Sequence, residues 1–349
     1  MRSTLNRRHF TQGMSLASLF GPPLLDAACS DSPRDENSTP FRHAAAPLAA
    51  ALSGSDPEAL QNRISLNVYS FNIALNSYIQ GRSGFSVALI DLLQFCQQQG
   101  IPALDATGYY WWNTTTKTGY PAVPPAADIK AFKDEAKASG IVISGTGVQN
   151  NFASPFADQR ESDLRLVRSW CEVAAELGAP VLRVFAGPIP QGYGWDQVST
   201  WMVDCLGRCA EYGKEMGIKI GVQNHGDMLK TADQCIKILR MVDSDWLGAV
   251  NDTGYFLTPN PYDDIARLMP YTITLQVKES VRAVKNFQAA ATALARFVAI
   301  IRQSGYSGWL PVETLQPVAT DYDPRAAVPA FVGALRCAMD GQCESDAGG

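Results

Sequence analysis

Histidine is scarce in this sequence. Only three are present in 349 residues, and His9 and His43 lie close to the N-terminus, which leaves His225 for the body of the chain. That scarcity excludes a zinc cluster built on several histidines. Charge is sparse as well: 18% of residues are charged, 29 basic against 34 acidic, for a net charge of −5. Binding a phosphate backbone takes concentrated Lys and Arg, so nucleic acid is not an expected partner. The weakly apolar stretch from Met14 to Leu25 falls short of the roughly 20 residues that span a bilayer as a helix, so no transmembrane segment is expected in the mature protein. No Gly-rich phosphate loop follows the first strand-like segment, which argues against a doubly wound dinucleotide-binding sheet. The eight cysteines do not form a metal-binding pattern. Cys205 and Cys209 are four apart with no second pair nearby and read as core residues, like Cys96, Cys171 and Cys235. Cys337 and Cys343 are candidates for a small C-terminal disulfide.

What is present begins with a targeting pattern. Asn6-Arg7-Arg8-His9-Phe10 precedes the apolar stretch and small residues in the order of a twin-arginine signal, assigned to residues 1–28. The expected location is therefore periplasmic or exported. Ala27-Ala28-Cys29 offers a lipoprotein cysteine, although Asp26 stands where such a motif carries an aliphatic residue. Residues 29–61 are rich in Ser, Pro, Ala and charge and read as a disordered linker. Residues 341–349 read as a C-terminal tail.

Between 62 and 340 the pattern alternates strand with helix. The strand-like segments are Ile64 to Phe71, Pro102 to Ala106, Gly140 to Gly145, Pro180 to Gly187, Ile218 to Gln223, Leu247 to Asp252, Thr272 to Lys278 and Gly308 to Glu313. Helical segments fall between them, the seventh predicted over Phe287 to Ser304. Gly100, Gly140, Gly178, Gly217 and Gly305 precede strands, as left-handed helix C-caps do. Eight βα units in one domain predict a (β/α)8 TIM barrel.

In such a barrel the active site lies at the C-terminal ends of the strands. Polar residues gather there: Gln223 and His225 after strand 5, Asp252 at strand 6, Gln276 and Lys278 on strand 7, and Glu313 on strand 8. Alternation along a strand puts Gln223 with His225, and Gln276 with Lys278, on common faces.

Four segments carry a family resemblance: Leu177 to Gly187, Gln223-Asn224-His225, Asp252-Thr253-Gly254, and Tyr306 to Glu313. With them the chain resembles the xylose isomerase-like barrels, which include sugar-phosphate isomerases, ketose epimerases and apurinic-site endonucleases. The resemblance implies a small-molecule carbohydrate as substrate. Epimerase-like members hold a divalent metal with Glu, Asp, His and Glu on strands 5 to 8. Carried over, the metal positions are Gln223, Asp252, Gln276 and Glu313. Gln replaces Glu at the first and His at the third, and Tyr255 stands where many members have His. Such a donor set favours a hard cation, Mn²⁺ or Mg²⁺, over zinc. The endonuclease branch is disfavoured, because one core histidine cannot supply a zinc cluster.

Those epimerases use the strand 5 and strand 8 carboxylates as paired bases, and Gln223 does not titrate. The expected catalytic residues are therefore Glu313 as proton carrier, with His225 and Lys278 sharing the proton work or polarising a carbonyl. Arg183, His225, Tyr255, Trp111 and Trp112 are expected to bind substrate. The two tryptophans close the aromatic run Tyr109 to Trp112, which reads as a sugar-stacking loop or a homo-oligomer contact. The reaction class expected is isomerisation, epimerisation or β-elimination at a carbon beside a carbonyl. The rival is a catalytically inert carbohydrate-binding barrel.

Overall fold

Short strands buried along nearly their whole length alternate with longer helices, which is how a parallel sheet covered by crossovers is written in sequence. The computed structural model describes residues 57–111, 123–282, 289–315 and 322–342. The barrel strands are β1 (Ile64–Asn67), β2 (Ala103–Thr107), β3 (Val142–Gly147), β4 (Val181–Phe185), β5 (Lys219–Gln223), β6 (Leu247–Asp252), β7 (Thr272–Lys278) and β10 (Leu310–Glu313). They close in the order β1-β10-β7-β6-β5-β4-β3-β2, with parallel pairing throughout. A separate antiparallel hairpin, β8 (Ser280–Arg282) with β9 (Ala289–Ala291), follows β7. This is the predicted TIM barrel.

The helices are α1 (Pro57–Gln61), α2 (Asn72–Ile79), α3 (Asp91–Gln98), α4 (Ala126–Ala138), α5 (Ala157–Leu177), α6 (Trp195–Met216), α7 (Ala232–Val242), α8 (Pro261–Leu268), α9 (Leu294–Ser304) and α10 (Pro324–Asp340). Their buried positions recur every three or four residues, as Val198, Met202, Cys205 and Cys209 do on α6. Cys205 and Cys209 are thus core residues and free thiols. Thr231 caps α7 by accepting a hydrogen bond from the Gln234 amide, 3.2 Å. Gly178, Gly217 and Gly305 end their helices at φ 71°, 72° and 66°, so each supplies the left-handed residue that turns the chain into the next strand. Burying a Phe or Leu of this core contributes about 1.5–3 kcal/mol relative to leaving it exposed.

The structure departs from the sequence expectation at four places. Strand 1 ends at Asn67, not Phe71, because the Asn67 side chain accepts from the Tyr69 amide (2.9 Å) and starts a 3-10 turn. The turn runs into α2, which the strand pattern hid. The seventh helix starts at Leu294, since Ala289–Ala291, good helix formers, pair with β8 instead. The end of the expected linker is helical: α1 docks on α10, where Gln61 donates to Asp340 at 2.6 Å.

Cys337 is in a disulfide. Its expected partner Cys343 lies outside the described residues, as do Cys29, the expected leader and most of the expected linker. No helix among the described residues is long and apolar enough to cross a membrane.

Candidate active site

The C-terminal ends of β4, β5, β6, β7 and β10 bring five side chains into one buried chain of contacts. Arg183 Nη1 donates to Gln223 Oε1 at 3.1 Å. Gln223 Nε2 donates to Asp252 Oδ2 at 2.5 Å. Lys278 Nζ lies 3.5 Å from the same Asp252 oxygen and donates to Glu313 Oε1. All five residues are buried.

The backbone is shaped to hold this arrangement. Asn224 points the other way from Gln223 and clamps β5 to β6: its Oδ1 accepts from the Asp252 amide (2.7 Å) and its Nδ2 donates to the Asp252 carbonyl (2.9 Å). The Gly254 amide donates to Asp252 Oδ1 at 2.9 Å. Thr253 Oγ1 accepts from the Lys278 amide at 2.9 Å. A Cβ on Gly254 would lie 2.7 Å from Lys278 Cγ, so the glycine leaves the path that the lysine stem takes. The Tyr255 ring lies 5.4 Å from the ammonium, a cation–π distance.

Electrostatics fix the protonation states. Burial alone would lower the Lys278 pKa, but Asp252 and Glu313 outweigh it and hold the group above its ordinary value. It is an ammonium, not the amine that proton work requires. Burial pushes the Asp252 carboxyl up to about 6, against the pull of Lys278 and with the push of Glu313. Burial first, then the cations Lys278, Arg183 and Arg282, push His225 down to about 3. The ring is therefore neutral near pH 7, and stays so well below the ordinary imidazole range.

His225 also stands apart from the carboxylates. Its ring tilts against Tyr255 with centroids 3.9 Å apart and meets the edge of Phe185 at 5.2 Å. Gln276, the register partner of Asp252, is buried with Oε1 unpartnered among the described residues. Glu313 Oε2 is likewise buried and unpartnered.

Three residues not singled out from the sequence join the site on its β1–β2 side. Asp105 ends up buried beside Gly145 on β3, its pKa raised to about 6 by burial, with Arg183 opposing and Glu313 reinforcing. Asn67 is buried at the end of β1 with Nδ2 unpartnered. Tyr69 follows in the 3-10 turn, its ring 6.4 Å from Tyr109, and senses the charges of Glu313, Lys278 and Arg183. The strand-end criterion used for strands 5 to 8 would have found Asp105, had it been applied to strand 2; Asn67 lies inside the segment that reads as strand 1.

Arg183 runs past Gly147, where a Cβ would lie 2.8 Å from the guanidinium. It is hydrogen-bonded to the Tyr109 hydroxyl and stacks over Phe185 at 4.8 Å. Tyr109 is thus the member of the aromatic run that reaches the site. The expectation for Trp111 is corrected: its ring packs on Phe132 of α4 (4.5 Å) and Trp170 of α5 (6.4 Å), in the helix layer. Trp112 lies outside the described residues.

A family model described as a xylose isomerase-like TIM barrel matches residues 101–330. The chain belongs to that family. Among solved structures, 3-keto-D-glucoside 4-epimerase from E. coli is similar with a TM-score of 0.60 and 12% identity, over 78% of this chain and 98% of that one. D-psicose 3-epimerase from Clostridium cellulolyticum H10, solved with D-tagatose, gives a TM-score of 0.59 and 12% identity over 80% and 98%. The IolI protein with a bound zinc atom gives 0.62 and 12% over 81% and 99%. At such identities the likeness is one of fold. No curated protein matches the sequence.

The zinc-bound structure shows that a barrel of this fold can carry a divalent metal. The residues of this chain do not fit one. A glutamine ligates a hard cation through its amide oxygen. Here Gln223 Oε1 is turned to the Arg183 guanidinium, and a donor, Nε2, faces Asp252. The reverse orientation would set the amide NH₂ against Arg183 and the oxygen against a carboxylate. The ammonium of Lys278 contacts both carboxylates that a cation would need. Among the described residues no cluster of three or more His, Cys, Asp or Glu is arranged to hold an ion.

Proposed function

We propose that this member of the xylose isomerase-like family moves a proton at the carbon beside a carbonyl of a sugar or keto-sugar, with Glu313 as the proton carrier. The observation that carries the reading is the state of Glu313. One oxygen is held by Lys278, while Oε2 is buried and unpartnered, an acceptor left free. The names of two solved relatives, a D-psicose 3-epimerase and a 3-keto-D-glucoside 4-epimerase, support the substrate class.

Glu313 Oε2 accepts the proton as the C–H bond breaks. The electron pair becomes the C=C bond of an enediol(ate), and the carbonyl π pair moves to oxygen. Returning the proton to the former carbonyl carbon, while the hydroxyl proton of the deprotonated carbon passes to the former carbonyl oxygen and the new C=O forms, gives isomerisation. Expelling a group from the next carbon gives β-elimination, the group leaving with a proton. Paired-carboxylate epimerisation has no second base at Gln223, which does not titrate. Neutral His225 donates or accepts a hydrogen bond and, with Tyr255, forms an apolar wall for the sugar face. Arg183, Asn67 and Gln276 offer Nε, Nδ2 and Oε1 to substrate hydroxyls. The divalent cation expected from the resemblance has no step in this scheme. If the twin-arginine pattern at Arg7-Arg8 directs export, as proposed, free sugars and glycosides are favoured as substrates over phosphate esters.

The test is hydrogen exchange in D₂O across a panel of ketoses and 3-keto-glycosides, followed by NMR. Exchange at one carbon beside the carbonyl is expected. Glu313→Gln should slow it by about 10²- to 10⁴-fold. Binding of the same sugars without exchange by the wild-type chain would identify an inert carbohydrate-binding barrel instead.

A further inference from the structure

The geometry points to Lys278 as a covalently attached replacement for the divalent cation of this fold, matched to the loss of a carboxylate at Gln223. Its role in the reaction rests on the function proposed above. Its exclusion of metal does not.

The argument starts from charge. A strand-end set of Glu, Asp and Glu around a divalent ion carries one net negative charge. Asp252 and Glu313 around the single ammonium of Lys278 carry the same net charge. Replacing a dication by a monocation is balanced by replacing one carboxylate by an amide. Had Gln223 been Glu, a third buried anion would join Asp252 and Glu313, with Lys278 and Arg183 the only cations in contact with the three, an excess of negative charge that a desolvated site opposes. Had Lys278 been neutral, two buried carboxylates would face each other without a counter-charge.

The position of the ammonium agrees. Nζ touches one oxygen from β6 and one from β10, the two strands that flank its own strand β7. The stem reaches that point through the gap at Gly254, and its backbone is pinned by Thr253. Lys278 is a buried part of the site, not a surface side chain that happened to swing inward. An ammonium held there supplies to a carbonyl oxygen what a metal would: a fixed positive charge with donors, placed where negative charge develops. It differs in being unable to dissociate.

The test is metal binding, read without reference to activity. Wild-type protein purified without chelator is assayed for bound metals by mass spectrometry and titrated with Mn²⁺ while free Mn²⁺ is followed by EPR. The expected result is no stoichiometric metal, an undiminished free Mn²⁺ signal and an unchanged Tm. The double variant Gln223→Glu/Lys278→Met restores three carboxylates and removes the ammonium. It is expected to bind one Mn²⁺ roughly 100-fold more tightly than the wild type and to gain Tm as the ion is added. Wild-type protein that takes up one equivalent of Mn²⁺ or Zn²⁺, with Tm rising on titration, overturns the inference; that measurement does not depend on whether the variant folds. A folded double variant that leaves Mn²⁺ free also overturns it. Absence of hydrogen exchange in the wild type would count against the proposed reaction and leave the metal result intact.

Discussion

The two sides of the barrel mouth solve the problem of buried polar groups in opposite ways. On the β4–β10 side, guanidinium, amide, carboxylate, ammonium and carboxylate follow one another in contact. On the β1–β2 side, Asn67 Nδ2, Asp105 Oδ1 and Thr107 Oγ1 are buried without partners. A buried polar atom left unpaired costs about 1–3 kcal/mol, and Arg183 Nε, Gln276 Oε1 and Glu313 Oε2 leave the first side with such atoms too; what differs is that the first side pairs its charges directly. The first side is neutralised in advance and presents a rigid charged centre. The second has no such ion-paired centre, and the hydrogen-bonding capacity left over on both sides is what a polyhydroxylated ligand would use.

The sharpest way to break the comparison is Lys278→Met. If the β4–β10 side depends on internal charge balance, stability should fall by about 3–5 kcal/mol, as when one partner of a buried pair is removed. Denaturant unfolding reads the loss. A fall under about 1 kcal/mol, the range of a surface ion pair, would mean the network is not coupled.

Next in size is Gly147→Ala. The new methyl meets the Arg183 guanidinium at 2.8–3.0 Å and must displace it. A cost of about 1–3 kcal/mol is expected, together with weaker sugar affinity, since Arg183 anchors the network at Gln223. Unchanged affinity by calorimetry would show that Arg183 can shift without consequence.

A smaller effect concerns pH. Asp105 titrates at 3.8 when unfolded and about 6 when folded, so the folded state holds more protons in between and stability falls as pH rises through that window. His225 moves the other way, from 6.5 to about 3, so its contribution is lost as pH falls below 6.5. The two slopes oppose each other between pH 4 and pH 6. Asp105→Asn should lower stability at pH 4 relative to pH 7, compared with wild type. His225→Phe should raise that ratio. Matching tilts in the same direction would contradict the assignment.

The smallest expected effect separates the aromatics. Tyr109→Phe removes a hydrogen bond to Arg183 and should weaken sugar binding by about 0.5–1.5 kcal/mol. Trp111→Phe trims a contact between α4 and α5 and should leave sugar affinity unchanged. The opposite ranking would return Trp111 to the site.

Five of the eight strands were legible as short apolar runs following a helix-ending glycine such as Gly178 or Gly217, and the other three from their alternation with helical segments. The convergence of Gln223, Asp252, Lys278 and Glu313 was legible from strand alternation alone. What pattern could not give was the state of each group. Lys278 was weighed as a proton carrier because sequence shows a basic residue near an acid; only the geometry shows two carboxylates gripping it. His225 reads from sequence as a sharer of the proton work because the cations that depress its pKa arrive from strands β4 and β7 and from the β8 hairpin, far away in sequence. Asn67 was hidden by its cap, which ends a strand that hydrophobicity alone would carry on to Phe71. Trp111 and Tyr109 are two residues apart yet face different layers, a distinction that the composition of an aromatic run does not contain.

Gly254 has a consequence for the mutational history open to this barrel. It carries no charge and touches no substrate in the proposed scheme, yet any side chain there collides with the Lys278 stem. An uncharged replacement at 254 would therefore act as an electrostatic mutation, displacing an ammonium from two buried acids. A lineage passing from a three-acid barrel to this one needs the small residue at 254 before the lysine at 278 is tolerable. Once the lysine is seated, position 254 is no longer free to drift.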